Sequence, residues 1–143
     1  MITTYDHPFL DNTFYVSVEY NNNIYPTAEN AFQASKFASK TFANKFKFMV
    51  AKKAQIEGTK HRPTVPDWYN NNTAIMYGIL KSKFQDPELK SKLLATYPEQ
   101  IIHVNGYHDN EWGVCTCSRC GNSGRNKLGL LLIKLRDELL SEN

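Results

Sequence analysis

Hydrophobic and polar positions change rhythm along this chain, and each rhythm predicts an element. Phe14-Tyr-Val-Ser-Val-Glu-Tyr20 alternates and is rich in β-formers, Asn21-Asn22-Asn23 interrupts it, and Ile24-Tyr25 resumes it. That pattern predicts a short hairpin. Thr27 then offers a hydroxyl suited to capping a helix start, and a helix is expected over about residues 28–39. A second helix is expected from Phe42 to Glu57, ending at Gly58, a residue type that tolerates the left-handed position past a helix end. Two prolines make residues 59–66 a loop. Trp68, Ile75, Met76, Ile79, Leu80 and Phe84 recur at helical spacing and predict a third helix over 67–84. Asp86-Pro87 opens a fourth helix to about Thr96, with proline at the first helical position. Gln100–Val104 reads as a strand, residues 105–125 as irregular, and Leu128, Leu132, Leu135 and Leu139 mark a last helix to about 140. No repeat or linker divides the pattern. The expectation is one α+β domain over 1–143, mainly α-helical, with a small antiparallel β-sheet.

Composition narrows the setting. The 143 residues are 41% hydrophobic, which suffices for a packed core. The apolar run Leu130–Ile133 falls far short of the roughly 20 residues that span a bilayer. Met1-Ile-Thr-Thr-Tyr-Asp-His7 lacks the basic flank and apolar core of a secretory leader. An odd number of cysteines, at 115, 117 and 120, makes no disulfide framework. A reducing, cytoplasmic setting away from membranes is expected. Charge is unevenly placed: residues 1–35 carry four acids and no Lys or Arg, whereas 36–62 hold eight basic residues against Glu57 alone. Such a segment can attract phosphates or nucleic acid, or can be a solvated helix face.

Several residue groups could carry chemistry. On the first predicted helix Glu29, Gln33 and Lys36 fall on one stripe, beside Ala28, Ala31, Phe32 and Ser35. Glu29 and Lys36 are too far apart along a helix to pair directly, yet both can point into one cleft; the plainer reading is a solvated face. Trp68 and Trp112 could stack on a base or sugar, or close the edge of the core. Asp109 could orient a ribose hydroxyl or cap its turn. Gly121-Asn-Ser-Gly124-Arg125-Asn126-Lys127-Leu-Gly129 runs into the last helix, where free N–H groups could hold a phosphate or an ordinary cap could form. It is not a Walker A loop, because Leu130 and Leu131 stand where Lys and Ser/Thr are required. Cys115-x-Cys117-x2-Cys120 would bind zinc only with a fourth ligand, from His103 or His108. With no second CxxC pair and no deaminase signature, free thiols are expected, with no metal and no cofactor.

The order of these pieces resembles a known family. Tyr25-Pro-Thr-Ala-Glu29-Asn-Ala-Phe32-Gln33-Ala-Ser-Lys36-Phe37 is similar to the Pro-Thr-x-Glu-His-x-Phe-Gln-x-x-Lys-Phe segment of the NADAR (YbiA-like) family. Asp67-Trp68, Met76, Lys83-Phe84-Gln85 and Leu94-Ala-Thr96 follow in the family's order, then Asp109-x-x-Trp112-Gly113 and Gly124-x-Asn126-x-Leu128-Gly129, ending in Leu135-Arg136. Phe9-Leu-Asp-Asn12-Thr-Phe14 matches the opening Phe-Ser-Asn-Phe more loosely. The sequence departs from the family at Asn30, where His is usual, at Val65, where Arg is usual, and at His103, a position often acidic.

The resemblance implies hydrolysis of an N-glycosidic bond between ribose C1 and an amine nitrogen. It points to ADP-ribose on the guanine amino group of DNA or RNA, with a paired ADP-ribosyltransferase toxin as an implied partner. Ribosylaminopyrimidine phosphates of riboflavin synthesis are the small-molecule alternative, and a non-catalytic ADP-ribose or nucleic-acid binder is a further one. A zinc-stapled interaction module is the reading that uses the cysteines. For catalysis Lys36 would attack C1 as a partly neutral amine, forming a Schiff base, while Glu29 moves protons; Glu29 with Asp109 would instead serve an oxocarbenium route. Trp68 and Trp112 would sandwich the ligand, Asp109 and Asn12 would fix ribose hydroxyls, and Asn126 with its helix start would meet phosphate. Phe32, Gln33, Gly113 and Arg125 complete the expected binding set.

Overall fold

Numbering strands from Ile2–Thr3 (β1), the alternating stretch becomes the antiparallel hairpin β2 (Val18–Tyr20) and β3 (Asn23–Tyr25) in the computed structural model, which describes residues 1–142. Val18 pairs with Tyr25, Glu19 with Ile24 and Tyr20 with Asn23. Asn21 and Asn22 turn the chain at φ 52° and 65°, the left-handed conformation that a two-residue hairpin turn demands and asparagine tolerates. The chain divides into two compact units, one of residues 12–86 and one of 1–11 with 87 onward.

In the 12–86 unit, α1 (Ala28–Ala34) starts where Thr27 Oγ1 accepts the Asn30 N–H at 3.1 Å. It ends well before residue 39. Ser35, Lys36 and Phe37 donate their N–H groups to Ala31, Gln33 and Ala34 in tightening turns, and the Lys36 carbonyl is taken by the N–H groups of Thr64 and Val65. Lys36 therefore stands just beyond the helix, not on it. Phe37 leads away into an aromatic cluster with Phe42, Phe46 and His61.

The single helix expected over 42–57 is broken into α2 (Lys40–Asn44), a 3-10 turn (Lys45–Phe48) and α3 (Ala51–Lys60). The cause is Asn30, which is fully buried and donates its side-chain amide to the carbonyls of Phe46 and Met49 at 2.8 and 2.7 Å. Met49 and Val50 are extended at the break. Gly58 does not end a helix either; it lies inside α3, where its missing side chain admits Gln33 of α1. α4 (Trp68–Lys83) matches its expected span and buries Trp68, Asn72, Met76, Ile79, Leu80 and Lys83 against α1 and β2.

In the other unit α5 (Pro87–Ala95) and α6 (Lys127–Ser141) pack together, and α6 also covers β4 (Ile101–Ile102), which pairs with β1. The strand expected over 100–104 divides at His103 into β4 and β5 (Val104–Asn105), the latter paired with β6 (Val114–Cys115). Among the described residues three two-stranded pieces thus replace one sheet: the hairpin is antiparallel, and the pairs β1–β4 and β5–β6 are parallel. The α+β class holds. Leu128, Leu132 and Leu135 of α6 are buried, as are Leu89, Leu93 and Ile101. No helix among the described residues is long and apolar enough to cross a membrane.

Candidate functional site

Glu29 lies in the first turn of α1, its N–H bonded to the Asn12 carbonyl at 2.9 Å. Its carboxylate accepts Gln33 Nε2 at 2.8 Å. Gln33, 5% exposed, lies so close to Gly58 that a Cβ there would stand 2.0 Å from Gln33 Oε1. The Gly58 carbonyl in turn accepts Lys36 Nζ at a long 3.5 Å. Glu29, Gln33 and Lys36 are thus drawn together by contact with α3, although Lys36 has left the helix. Burial holds the Lys36 amine below the usual lysine pKa, and the Glu29 charge partly restores it. Burial favours the neutral form of an amine, and a neighbouring carboxylate opposes that shift while offering a group that can carry protons.

Around this pair two buried acceptors, Asn12 Oδ1 and Gln33 Oε1, have no hydrogen-bond partner. Asn12 is 6% exposed and its Nδ2 reaches Met76 Sδ at 3.5 Å. An unmet buried acceptor costs on the order of 1–3 kcal/mol. Phe32 and Trp68 do not offer open faces for stacking. Trp68 is 4% exposed and the rings pack on each other at 5.1 Å, so both belong to the core. A cavity of about 710 Å³ in the same unit is bordered by Asn21, Asn23, Tyr25, Phe37 and Lys40; neither Glu29 nor Lys36 lines it.

The residues expected from the second half of the chain lie in the other unit. Asp109 Oδ1 accepts the N–H groups of Glu111 and Trp112 at 3.1 and 2.9 Å, so this carboxylate caps its own turn. Lys127 Nζ sits 4.5 Å from the centre of the Trp112 ring and 3.1 Å from Glu111 Oε1. Gly113 is a packing residue, because a Cβ would come within 2.5 Å of the His103 carbonyl. Arg125 is exposed.

The phosphate cradle at the start of α6 is already filled by the protein. The N–H groups of Asn126, Lys127 and Leu128 go to the carbonyls of Gly113, Glu111 and Trp112. Asn126 is buried; its Oδ1 accepts the His103 N–H at 2.8 Å and its Nδ2 donates to the Ile101 carbonyl at 2.9 Å. It buckles β4 to α6 and is a positioning residue, not a phosphate ligand.

The burial of one residue escaped sequence reasoning. Lys83 is fully buried, its Nζ 5.4 Å from the Phe84 ring centre and 6.0 Å from that of Phe14. The signal was present: Lys83 falls on the apolar face with Ile79 and Leu80, where a lysine is out of place. Of the two histidines that could join the cysteines, His108 is the one placed beside them. His108, Cys115, Cys117 and Cys120 bring their ligand atoms within 4.8 Å of one another. His103 is elsewhere, buried against Thr4 Oγ1 at 3.0 Å.

Comparison with known proteins supplies the family. The NADAR domain model matches residues 2–140. The N-glycosidase YbiA of Shigella flexneri serotype 5b is 31% identical over 130 residues, covering 87% of this chain and 77% of that protein. A riboflavin biosynthesis protein of Vibrio vulnificus is 28% identical over 94% of this chain, which spans 36% of its length. The NMR structure of the Escherichia coli protein YbiA superposes with a TM-score of 0.83 at 28% identity, covering 99% of this chain and 85% of that one. With the sequence matched almost end to end and the fold shared, the chain belongs to the NADAR domain family.

Proposed function

We propose that this protein is an N-glycosyl hydrolase that removes ADP-ribose from the guanine amino group in nucleic acid. The observation that carries this reading is the half-buried Lys36 amine, turned to the Gly58 carbonyl of α3 beside the Gln33 side chain that binds the Glu29 carboxylate. Opening of the ribose ring gives an imine at C1. The neutral Lys36 amine adds to that carbon, Glu29 takes the proton released from the Lys36 nitrogen and passes it to the base amine, which leaves, and the lysine imine remains. Water then adds to C1, Glu29 takes its proton, and the sugar is released as lysine is regenerated. Asn12 Oδ1 would accept a ribose hydroxyl. Lys40, Lys45, Lys52, Lys53 and Arg62 are all exposed, and Phe48 stands 80% exposed among them with Lys47 Nζ 5.9 Å from its ring centre. Cations interleaved with an open aromatic suit a nucleic-acid strand.

A second reading, hydrolysis of a ribosylaminopyrimidine phosphate, is favoured by the Vibrio relative's name. It uses the same bond and the same pair of residues but no basic face. Incubation with guanine-ADP-ribosylated DNA and with the pyrimidine phosphate, following loss of each, separates the two. Borohydride added during turnover should fix sugar to Lys36. Full activity in Lys36→Ala would end the Schiff-base route, and intact recovery of both substrates would make the protein a binder.

A further inference from the structure

The catalytic reading uses none of the cysteines, yet the loop that carries them is the most organised cluster of metal-type ligands in the described chain. His108 Nδ1 lies 3.3 Å from Cys120 Sγ, 3.5 Å from Cys117 Sγ and 4.0 Å from Cys115 Sγ. Zinc with bonds of about 2.3 Å to sulfur and about 2.0–2.1 Å to nitrogen places tetrahedral ligands about 3.5–3.8 Å apart. The observed spacings bracket that value. We propose that His108, Cys115, Cys117 and Cys120 hold one structural zinc ion.

The backbone around the four residues is arranged as a thiolate site requires. Cys117-Ser-Arg-Cys120-Gly121 forms a tight knuckle: the Cys120 N–H points at Cys117 Sγ at 3.3 Å, and the Gly121 N–H bonds the Cys117 carbonyl at 2.9 Å. Gly121 takes φ 63°, which closes the knuckle. The His108 N–H points at Cys115 Sγ at 3.4 Å. Amide donors aimed at sulfur stabilise thiolates and orient them toward a metal. His108 itself adopts φ 69°, a left-handed conformation that a histidine takes only at a cost. That cost is explained if the ring must face three sulfurs.

Four protein ligands leave no open coordination position, so the ion is structural and not catalytic. Its effect is local. It ties the Cys117–Gly121 knuckle to Cys115 in β6 and to the loop before Asp109, and so fixes the turn that presents Trp112. This assignment is independent of the glycosidase reading.

The test uses the whole protein, purified under reducing conditions without a metal-affinity step and dialysed against metal-free buffer. Elemental analysis should return one equivalent of zinc. Replacement by cobalt should give the intense visible bands and sulfur-to-metal charge transfer of a tetrahedral thiolate site. Cys120→Ser and His108→Ala should each lower retained zinc severalfold, and a strong chelator should lower the Tm of the parent protein. Less than about a tenth of an equivalent of zinc, with no cobalt bands on adding that ion to reduced protein, would overturn the proposal. So would one equivalent of a different metal, or zinc content unchanged in both variants.

Discussion

Two glycines in helices offer a sharp comparison, because their surroundings oppose one another. Gly78 in α4 is exposed, and a Cβ built on it meets nothing within 4 Å. Gly78→Ala should therefore gain the ordinary helix preference of alanine, about 0.8–1.0 kcal/mol. Gly58 in α3 is buried, and a Cβ there would stand 2.0 Å from Gln33 Oε1, 2.7 Å from Cδ and 2.8 Å from Cβ. The amide end could swing away, but Gln33 Cβ is fixed to the α1 backbone, so α1 and α3 must separate. Forcing extra volume into a packed contact costs about 1–3 kcal/mol. Displacing Gln33 also breaks its bond to the Glu29 carboxylate, which is worth about 1.5–3 kcal/mol as a charged hydrogen bond. Against the same helical gain, Gly58→Ala should lose about 1.5–5 kcal/mol. Urea denaturation of the parent and both variants measures this directly. In thermal unfolding the two substitutions should move Tm in opposite directions, by about 3 °C per kcal/mol for a chain of this size. Gly58→Ala should also reduce turnover, since Gln33 and the Gly58 carbonyl position Glu29 and Lys36. If Gly58→Ala stabilises the protein as Gly78→Ala does, the packed contact described here does not exist.

The remaining expectations concern titration and anchoring. Because burial lowers the Lys36 pKa, the unfolded state holds more protons between that lowered value and 10.5, so unfolding free energy should rise with pH across this window, and Lys36→Met should flatten the rise. Turnover should climb with pH as the amine becomes neutral; Glu29→Gln removes the charge that raises the Lys36 pKa, so the rise of stability with pH should begin at lower pH in denaturant titrations, and an unmoved rise would separate the two residues. His103 is likewise held below 6.5 by burial, against the opposing pull of Asp11 and Asp109. Stability should then be full above 6.5 and fall as pH drops toward the lowered value, a loss that His103→Gln should blunt in acid-denaturation curves. Asn126→Ala leaves the Ile101 carbonyl and His103 N–H unmet and should cost about 2–4 kcal/mol in denaturant titration, whereas exposed Arg125→Ala should cost under about 0.5 kcal/mol.

What the chain order alone determined was local in origin. Asn21-Asn22 selects its turn by tolerating positive φ, Thr27 caps α1 with its own hydroxyl, Asp86-Pro87 opens α5, and the periodicity from Trp68 to Lys83 is a helix because one face is apolar. The ordered blocks around Glu29, Trp68, Asp109 and Asn126 likewise sufficed to indicate the family, since such blocks are read without coordinates. Tertiary structure decided whatever depended on which distant group takes a backbone partner. Asn30 removes the carbonyls of Phe46 and Met49 from any continuous helix, and Thr64 and Val65 hold the Lys36 carbonyl and pull that residue off α1. The carbonyls of 111–113 fill the helix start that sequence offers to phosphate, and His108, not His103, meets the three sulfurs. Periodicity reports which side of an element faces the core. It carries no record of which carbonyl, amide or side chain, tens of residues away, will satisfy a given polar group, and that assignment separates a capping, packing or coordinating residue from one left to act on a ligand.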